Sequence, residues 1–365
     1  MKILCVIDCL GSGGSQRQII ELALAVKEKG HTVSFLTYHD IVFYNHILLK
    51  EGIPINCIGE KNYLIRLLKM RQFIRKGKYD GIISFLEGPN FICEVAGFPN
   101  RKWKLVVNEG SANPNIFKSV KHIIYRIFHV FADYVVANSY ANMRIIRTIN
   151  PFLSKLKCKV IHNIIDFEKW QPSNNYVPKK DGILKMIVVA SHQYLKNLNG
   201  LIDALSLLTE EELKKIKVDW YGDKLTEPYV DQSWIEGKKK IDNLKINDII
   251  TFHPATNPIM NKIQDSDVLG LFSLYEGFPN VVCEGMSCRK PIVCSTVSDL
   301  PELLSYDKNL LCDPSDPETI KKSLSYVISL TGDELNRIGR KNEDLAKEYF
   351  DKKKIVSIYL HLLGK

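Results

Sequence analysis

The chain has 365 residues, 45% of them hydrophobic and 25% charged, a length that exceeds one usual core and a composition that excludes a disordered or low-complexity chain. The net charge of +9 is unevenly divided: residues 1–180 hold 26 Lys+Arg against 13 Asp+Glu, and the remainder holds 24 against 28. An excess of cations in one half points to an anionic partner there, whether a phosphorylated ligand, a membrane surface or nucleic acid.

In chain order, residues 2–7 read as a short apolar strand ended by Asp8, too brief for a signal peptide. Gly11-Ser-Gly-Gly14 is a glycine loop, and residues 16–29 have helical spacing that stops at Gly30. Strands follow at residues 31–38, 53–58, 81–85, 104–108, 134–137 and 159–161, with helices at 63–76 and 119–131 between them. Residues 171–182 are polar and read as a linker. Beyond them the strand–helix alternation resumes, with strands at 186–190, 217–221, 249–252, 268–274 and 291–294 and a long final helix over 331–363. Strands alternating with helices give doubly wound parallel sheets. No apolar run approaches the roughly 18 to 20 residues of a membrane span. The nine cysteines include no C-x2-C pair, which argues against a disulfide framework or thiolate metal site and for a reducing cytosol.

Between Lys61 and Lys78 stand seven basic residues and no acidic one. On a helical wheel Leu64, Leu67, Leu68 and Ile74 share one side and Arg66, Lys69 and Lys76 the other, a pattern for a packed helix with a solvated basic face or for docking on anionic lipid. No aromatic-studded strand or recognition motif supports nucleic acid.

The most informative segment is Glu276-Gly-Phe-Pro-Asn-Val-Val-Cys-Glu284. It follows a buried-type strand, and Pro279 suits the first turn of a helix. The amides of Asn280, Val281 and Val282 would then be open donors at the positive helix end, an anion site. Glu284, one to two turns in, is placed to accept hydrogen bonds from a vicinal diol such as a ribose. A nucleoside diphosphate-sugar fits this order: sugar at Glu276, phosphates at the helix start, ribose at Glu284.

The string EGFPNVVCEGM, with Lys290-Pro-Ile-Val293 and Asp299-Leu-Pro-Glu302 after it, resembles the E-x7-E signature of family 4 retaining glycosyltransferases. The resemblance covers nearly the whole chain. It implies the GT-B fold, two Rossmann-like doubly wound domains facing a cleft: an acceptor-side domain over 1–170, the linker 171–182, a nucleotide-sugar domain over 183–345, and a C-terminal helix, 346–365, crossing back to the first. It implies transfer of a sugar with retention from a UDP- or GDP-sugar to a hydroxyl of a saccharide, expected to be lipid-linked and part of bacterial-type surface polysaccharide synthesis. No cofactor is expected, and the place of work is the cytoplasm or the cytoplasmic face of the membrane.

Residue by residue, the resemblance places Gly13 and Gly14 near donor phosphate and sugar, with Gln16 where the family has glutamate. The third glycine of a dinucleotide fingerprint is absent, although Asp40 at a strand end keeps a dehydrogenase reading open. In Ser191-His-Gln-Tyr-Leu-Lys196, Lys196 matches the family's phosphate-clamping lysine and Ser191 stands in place of the arginine; His192 is a substitute donor or a structural residue. His253 begins the loop expected to meet the base, mainly through backbone groups. Gly277 and Phe278 complete the donor loop. Glu109 is the ionisable group of Val107-Asn-Glu-Gly-Ser-Ala112, expected either to orient the acceptor hydroxyl or to be an exposed loop carboxylate. Asp265 and Asp267 precede a strand rather than follow one, so a metal-binding D-x-D pair is not expected and Lys196 and helix amides meet the phosphate charge. Asn163 and Asp166 are turn residues. A GT-B nucleotide-sugar epimerase and an inactive sugar-nucleotide-binding partner are the alternatives.

Overall fold

The computed structural model describes residues 1–173, 175–223, 231–256 and 258–364. Asn174 of the expected linker and Lys365 of the expected terminal helix lie outside them. The chain forms two compact units, Met1–Ile164 together with Phe350–Lys365, and Ile165–Tyr349.

The first unit is built on strands β1 (Lys2–Val6), β2 (Thr32–Thr37), β3 (Ile55–Cys57), β4 (Gly81–Phe85), β5 (Lys104–Glu109), β6 (Tyr134–Ala137) and β7 (Cys158–Val160). They pair in parallel in the order β3-β2-β1-β4-β5-β6-β7. Runs such as Ile3-Leu4-Cys5-Val6 and Leu105-Val106-Val107 are buried on both faces, as a sheet covered by helices on each side demands. One layer includes helices Gly14–Glu28 and Lys352–Leu362, and the other includes Tyr63–Lys76 and Glu87–Ala96. Gly81 has no Cβ because Leu363 occupies the space: a Cβ there would lie 2.8 Å from the leucine side chain.

The second unit carries β8 (Leu184–Val189), β9 (Ile216–Tyr221), β10 (Ile250–His253), β11 (Val268–Leu271), β12 (Ile292–Ser295) and β13 (Leu311–Cys312), in the parallel order β10-β9-β8-β11-β12-β13. Its core joins Trp220, Phe272 and the helices Leu198–Ser206 and Pro317–Ser329.

Several expected elements change. The helix foreseen over 331–363 is two, Gly332–Tyr349 and Lys352–Leu362. Between them Phe350 is buried and Asp351 starts the second by accepting the Lys354 amide. The helix foreseen over 119–131 ends at Ile127 and tightens into a 3-10 turn, Phe128–Phe131. The strand foreseen over 268–274 stops at Leu271, and β13, two residues long, carries too little pattern to be seen in sequence.

The basic helix Tyr63–Lys76 begins at Asn62, whose side chain accepts from the amides of Leu64 and Ile65. Its packed stripe runs through Met70 and Ile74, with Leu67 and Phe73 partly buried beside them, so only Leu67 and Ile74 of the expected side are turned to the core. Leu64 and Leu68 are instead 67% and 64% exposed, beside Ile65. The expected free cations are also partly engaged: Arg66 lies 4.5 Å over the Tyr38 ring and Lys69 pairs with Glu60 at 2.7 Å. Among the described residues no helix is long and apolar enough to cross a membrane.

Candidate functional site

Each sheet has one point where the strand order reverses, between β1 and β4 in the first unit and between β8 and β11 in the second. At such a point the loops leaving neighbouring strands diverge and open a crevice beyond the carboxyl ends, the usual ligand position in open α/β sheets. Ser191, His192, Lys196 and Glu276 follow the strands at the second of these points and Gly13 and Gly14 follow β1 at the first, whereas His253 and Glu109 end other strands.

In the second unit, the loop after β8 carries Ser191, His192 and Lys196, and the loop after β11 carries Glu276. The Leu274 amide donates to the Leu195 carbonyl at 2.8 Å and ties the loops together. The Lys196 ammonium then meets the Glu276 carboxylate at 2.6 Å, and the Ser273 hydroxyl donates to the same oxygen at 2.7 Å. Asn197, in the left-handed conformation at φ 59°, turns the chain into the helix Leu198–Ser206 and caps it at the Gly200 amide. Asparagine tolerates that conformation better than most residues. Lysine and carboxylate, 80 positions apart in sequence, thus form one partly buried ion pair.

Phe278 and Glu284 are buried, and the helix after the loop is Asn280–Ser287, with Pro279 as its N-cap rather than at its first helical position. The Val282 amide donates to the Pro279 carbonyl at 3.2 Å. It is therefore not one of the open donors expected. The Ser298 hydroxyl donates to the Gly277 carbonyl and pins the loop.

His192 is buried, with its ring 4.0 Å from that of Trp234 and 5.5 Å from Phe252. His253 closes β10; its Nε2 lies 2.6 Å from Asp219 and its ring stacks on Tyr221 at 4.4 Å. Its side chain is thus more engaged than the backbone role expected of its loop.

Asp267 accepts from the Tyr176 hydroxyl, the Lys179 amide and the Lys185 amide, so both its oxygens hold the entry to β11. Next to it, Lys290 donates to the Gln264 and Ser266 carbonyls and sits 4.1 Å over the Tyr176 ring. Burial lowers the Lys290 ammonium to about 8. Among the described residues no group of three or more His, Cys, Asp or Glu is placed to hold a metal ion.

In the first unit, Gly13 is the N-cap of the helix Gly14–Glu28. A Cβ on Gly13 would lie 2.1 Å from the Gln16 side-chain oxygen, so glycine is what lets Gln16 fold back. Gln16 donates to Asp8 at 3.0 Å and is drawn toward the end of β1.

A cavity of about 420 Å³ opens there, lined by Asp8, Tyr38, Glu87, Glu109, Asn113 and His122 among others. Leu86, on its wall, has φ 77° and ψ 152°, a conformation that costs a side-chain-bearing residue on the order of 1–3 kcal/mol and concentrates at functional sites.

Glu109 is neither exposed nor in a loop: it ends β5 and is 3% exposed. Its Oε2 accepts from Arg126 at 2.8 Å, and its Oε1 faces Asn90 and the His129 Nε2, both at 3.3 Å. Burial pushes its carboxyl up, but the His129 hydrogen bond and the Arg126 charge prevail and hold it below its ordinary value. Arg126, fully buried, also donates to Glu87, which in turn meets His122. His129 bridges on to Glu94 at 2.7 Å. Sequence spacing gave no signal for Asp8, Glu87, Arg126 or His129, which come from four separate elements or loops.

Comparison with known proteins agrees with this architecture. The family described as Glycosyltransferase Family 4 matches residues 12–169, and Glycosyl transferases group 1 matches residues 171–345. The chain belongs to these family 4, group 1 glycosyltransferases. It is similar to the N-acetylgalactosamine-N,N'-diacetylbacillosaminyl-diphospho-undecaprenol 4-alpha-N-acetylgalactosaminyltransferase of Campylobacter jejuni, 24% identical with 100% of both chains covered. It is 23% identical to the N-acetyl-alpha-D-glucosaminyl L-malate synthase of Bacillus anthracis, covering 98% of this chain and 96% of that one. Among solved structures, Anabaena HepE in complex with UDP and glucose superposes with a TM-score of 0.86 at 19% identity, covering 100% of this chain and 99% of that one. The fold is GT-B.

Proposed function

We propose that this glycosyltransferase moves a sugar from a UDP- or GDP-sugar to a hydroxyl of a saccharide acceptor, with retention of configuration and without a metal ion. The observation that carries the reading is the Lys196–Glu276 pair at the β8/β11 reversal. A fixed ammonium there would neutralise diphosphate charge as the glycosidic bond breaks, and Glu276 would receive hydroxyls of the transferred sugar. The helix Asn280–Ser287 would turn its positive end to phosphate and Glu284 would take the ribose. The anomeric carbon loses its bond to the diphosphate oxygen and gains one to the acceptor oxygen, and the acceptor proton leaves with the diphosphate.

The first-unit cavity, with Glu109 on its floor, is the proposed acceptor subsite. A lipid-linked acceptor accords with the Campylobacter relative, whose name places its substrate on diphospho-undecaprenol. It also accords with Leu64, Ile65 and Leu68 exposed on a basic helix, a surface suited to an anionic bilayer at the cytoplasmic face.

Purified protein given labelled UDP-glucose, UDP-N-acetylgalactosamine or GDP-mannose and a polyprenyl-diphosphate saccharide should yield an α-linked product, with the rate preserved in EDTA. An inverted product, or activity lost in EDTA and restored by Mn²⁺, would overturn the corresponding part. Tight donor binding without transfer would identify an inactive partner, the reading that Ser191 in place of a clamping arginine favours.

A further inference from the structure

The acceptor cavity is lined by carboxylates within a unit rich in cations. Residues 1–180, which include most of that unit, carry 26 Lys+Arg and 13 Asp+Glu. Yet the cavity lining contains Asp8, Glu87 and Glu109 and, among the described residues, neither lysine nor arginine; His122 is its one basic group.

The cations near the carboxylates are outside the lining or already paired, and Arg66 lies over the ring of the lining residue Tyr38. Arg126 lies fully buried behind the wall with its charge shared between Glu87 and Glu109, and His129 lies behind Glu109, shared with Glu94. His122 is occupied by Glu87. The lining thus offers Asp8 and the ion-paired Glu87 and Glu109, with hydroxyl and amide groups from Tyr38, Ser111 and Asn113 and apolar walls from Leu86, Pro89 and Ile116. Carboxylates accept from paired hydroxyls, and apolar walls suit the C–H faces of a pyranose. The volume of about 420 Å³ falls in the range of small-molecule sites. A second negative charge brought within about 4 Å of these carboxylates, away from bulk water, would be strongly repelled.

We propose that this cavity selects acceptors by charge. It admits an uncharged, hydroxyl-bearing sugar terminus and excludes phosphate, malate-like dicarboxylates and uronic acids, with Glu87 and Asp8 as the discriminating residues. Any phosphate on the acceptor must then remain outside it. The inference rests on the cavity being the acceptor subsite proposed above.

Two measurements on the full chain separate failure of this inference from failure of that reading. The first is saturation-transfer NMR without donor, comparing octyl glucoside, octyl N-acetylgalactosaminide and octyl glucuronide. The second is transfer from the active UDP-sugar to the same acceptors and to malate. At least one neutral glycoside should bind and be glycosylated with kcat/KM at least about 100-fold above the glucuronide, a ratio set by like-charge repulsion. Glu87→Gln should raise KM for the neutral acceptor and shrink that ratio at least tenfold. Asp8→Asn, outside the Arg126 network, should do the same if Glu87→Gln fails to fold. Glucuronide or malate used within threefold of the neutral glycosides would overturn the inference while leaving glycosyl transfer standing, as would a ratio unchanged in both variants. Neutral binding with charge discrimination but no transfer would support charge selection and sink the transfer reading. No binding of any neutral glycoside at 10 mM overturns the inference.

Discussion

Raising the pH from 6.5 to 9 should loosen the first unit through His129. Burial alone would push this imidazole down, but the Glu94 charge and the Glu109 hydrogen bond carry it up to about 9. A histidine whose folded value lies above its unfolded one contributes stability that is fully present below pH ~6.5 and lost as the pH climbs through ~9. The rise from 6.5 to about 9 corresponds to about 3 kcal/mol, most of it gone at pH 9. Lys290 gives an opposite internal contrast in the second unit. Burial holds it at about 8 against an ordinary 10.5, so between those values the unfolded state binds more protons and stability rises, by about 1 kcal/mol at pH 9. Urea unfolding read by pulsed hydrogen exchange and mass spectrometry separates the two, as units that need not unfold together require. Peptides from the helix Glu87–Ala96 and from β5 report the first unit, and peptides from β11 and β12 the second. His129→Gln should cost roughly 3 kcal/mol or more at pH 7, since it strips buried Glu94 of its ion-pair partner and leaves Glu109 with Arg126 alone, and should flatten the pH response. A wild-type midpoint in the first unit that does not fall between pH 6.5 and 9 would refute a charged His129.

Lys196→Ala should lower turnover by about 100-fold or more, as loss of one preorganised charge does, with thermal stability changed little because the pair is partly solvated; near-normal kcat would remove it from the chemistry. Glu284→Ala should weaken donor binding by about 10- to 100-fold, the worth of charge-assisted hydrogen bonds, measured by calorimetric titration of UDP-sugar. Leu64→Ser with Leu68→Ser should cut sedimentation with anionic liposomes at least about tenfold and spare activity on a short soluble acceptor. Undiminished sedimentation would mean that another face does the docking.

The sequence by itself determined the class and most of the architecture. β-strand content shows because parallel strands buried on both faces must be continuous apolar runs, as in Ile3–Val6 and Val268–Leu271. The loop and helix start after β11 show because Glu276, Pro279 and Glu284 are local in chain and their spacing maps directly onto that turn of structure. Two boundaries were blurred for physical reasons. Helical periodicity runs unbroken across Phe350, where only a side chain entering a core and a new cap at Asp351 stop it. The wheel of Tyr63–Lys76 has apolar residues over a wide arc, and only packing decided that the core takes Met70 with Ile74 and leaves Leu64 and Leu68 exposed.

The tertiary structure alone decided what is paired with what. Lys196 met Glu276 because the strand order reverses between β8 and β11, a property of topology that no spacing encodes. Glu109 changed from a loop carboxylate to a buried anion because Arg126 and His129, on a helix and turn after β5, fold back behind it. An isolated carboxylate could not be buried in that way, and the charges that make it tolerable come from elsewhere in the chain.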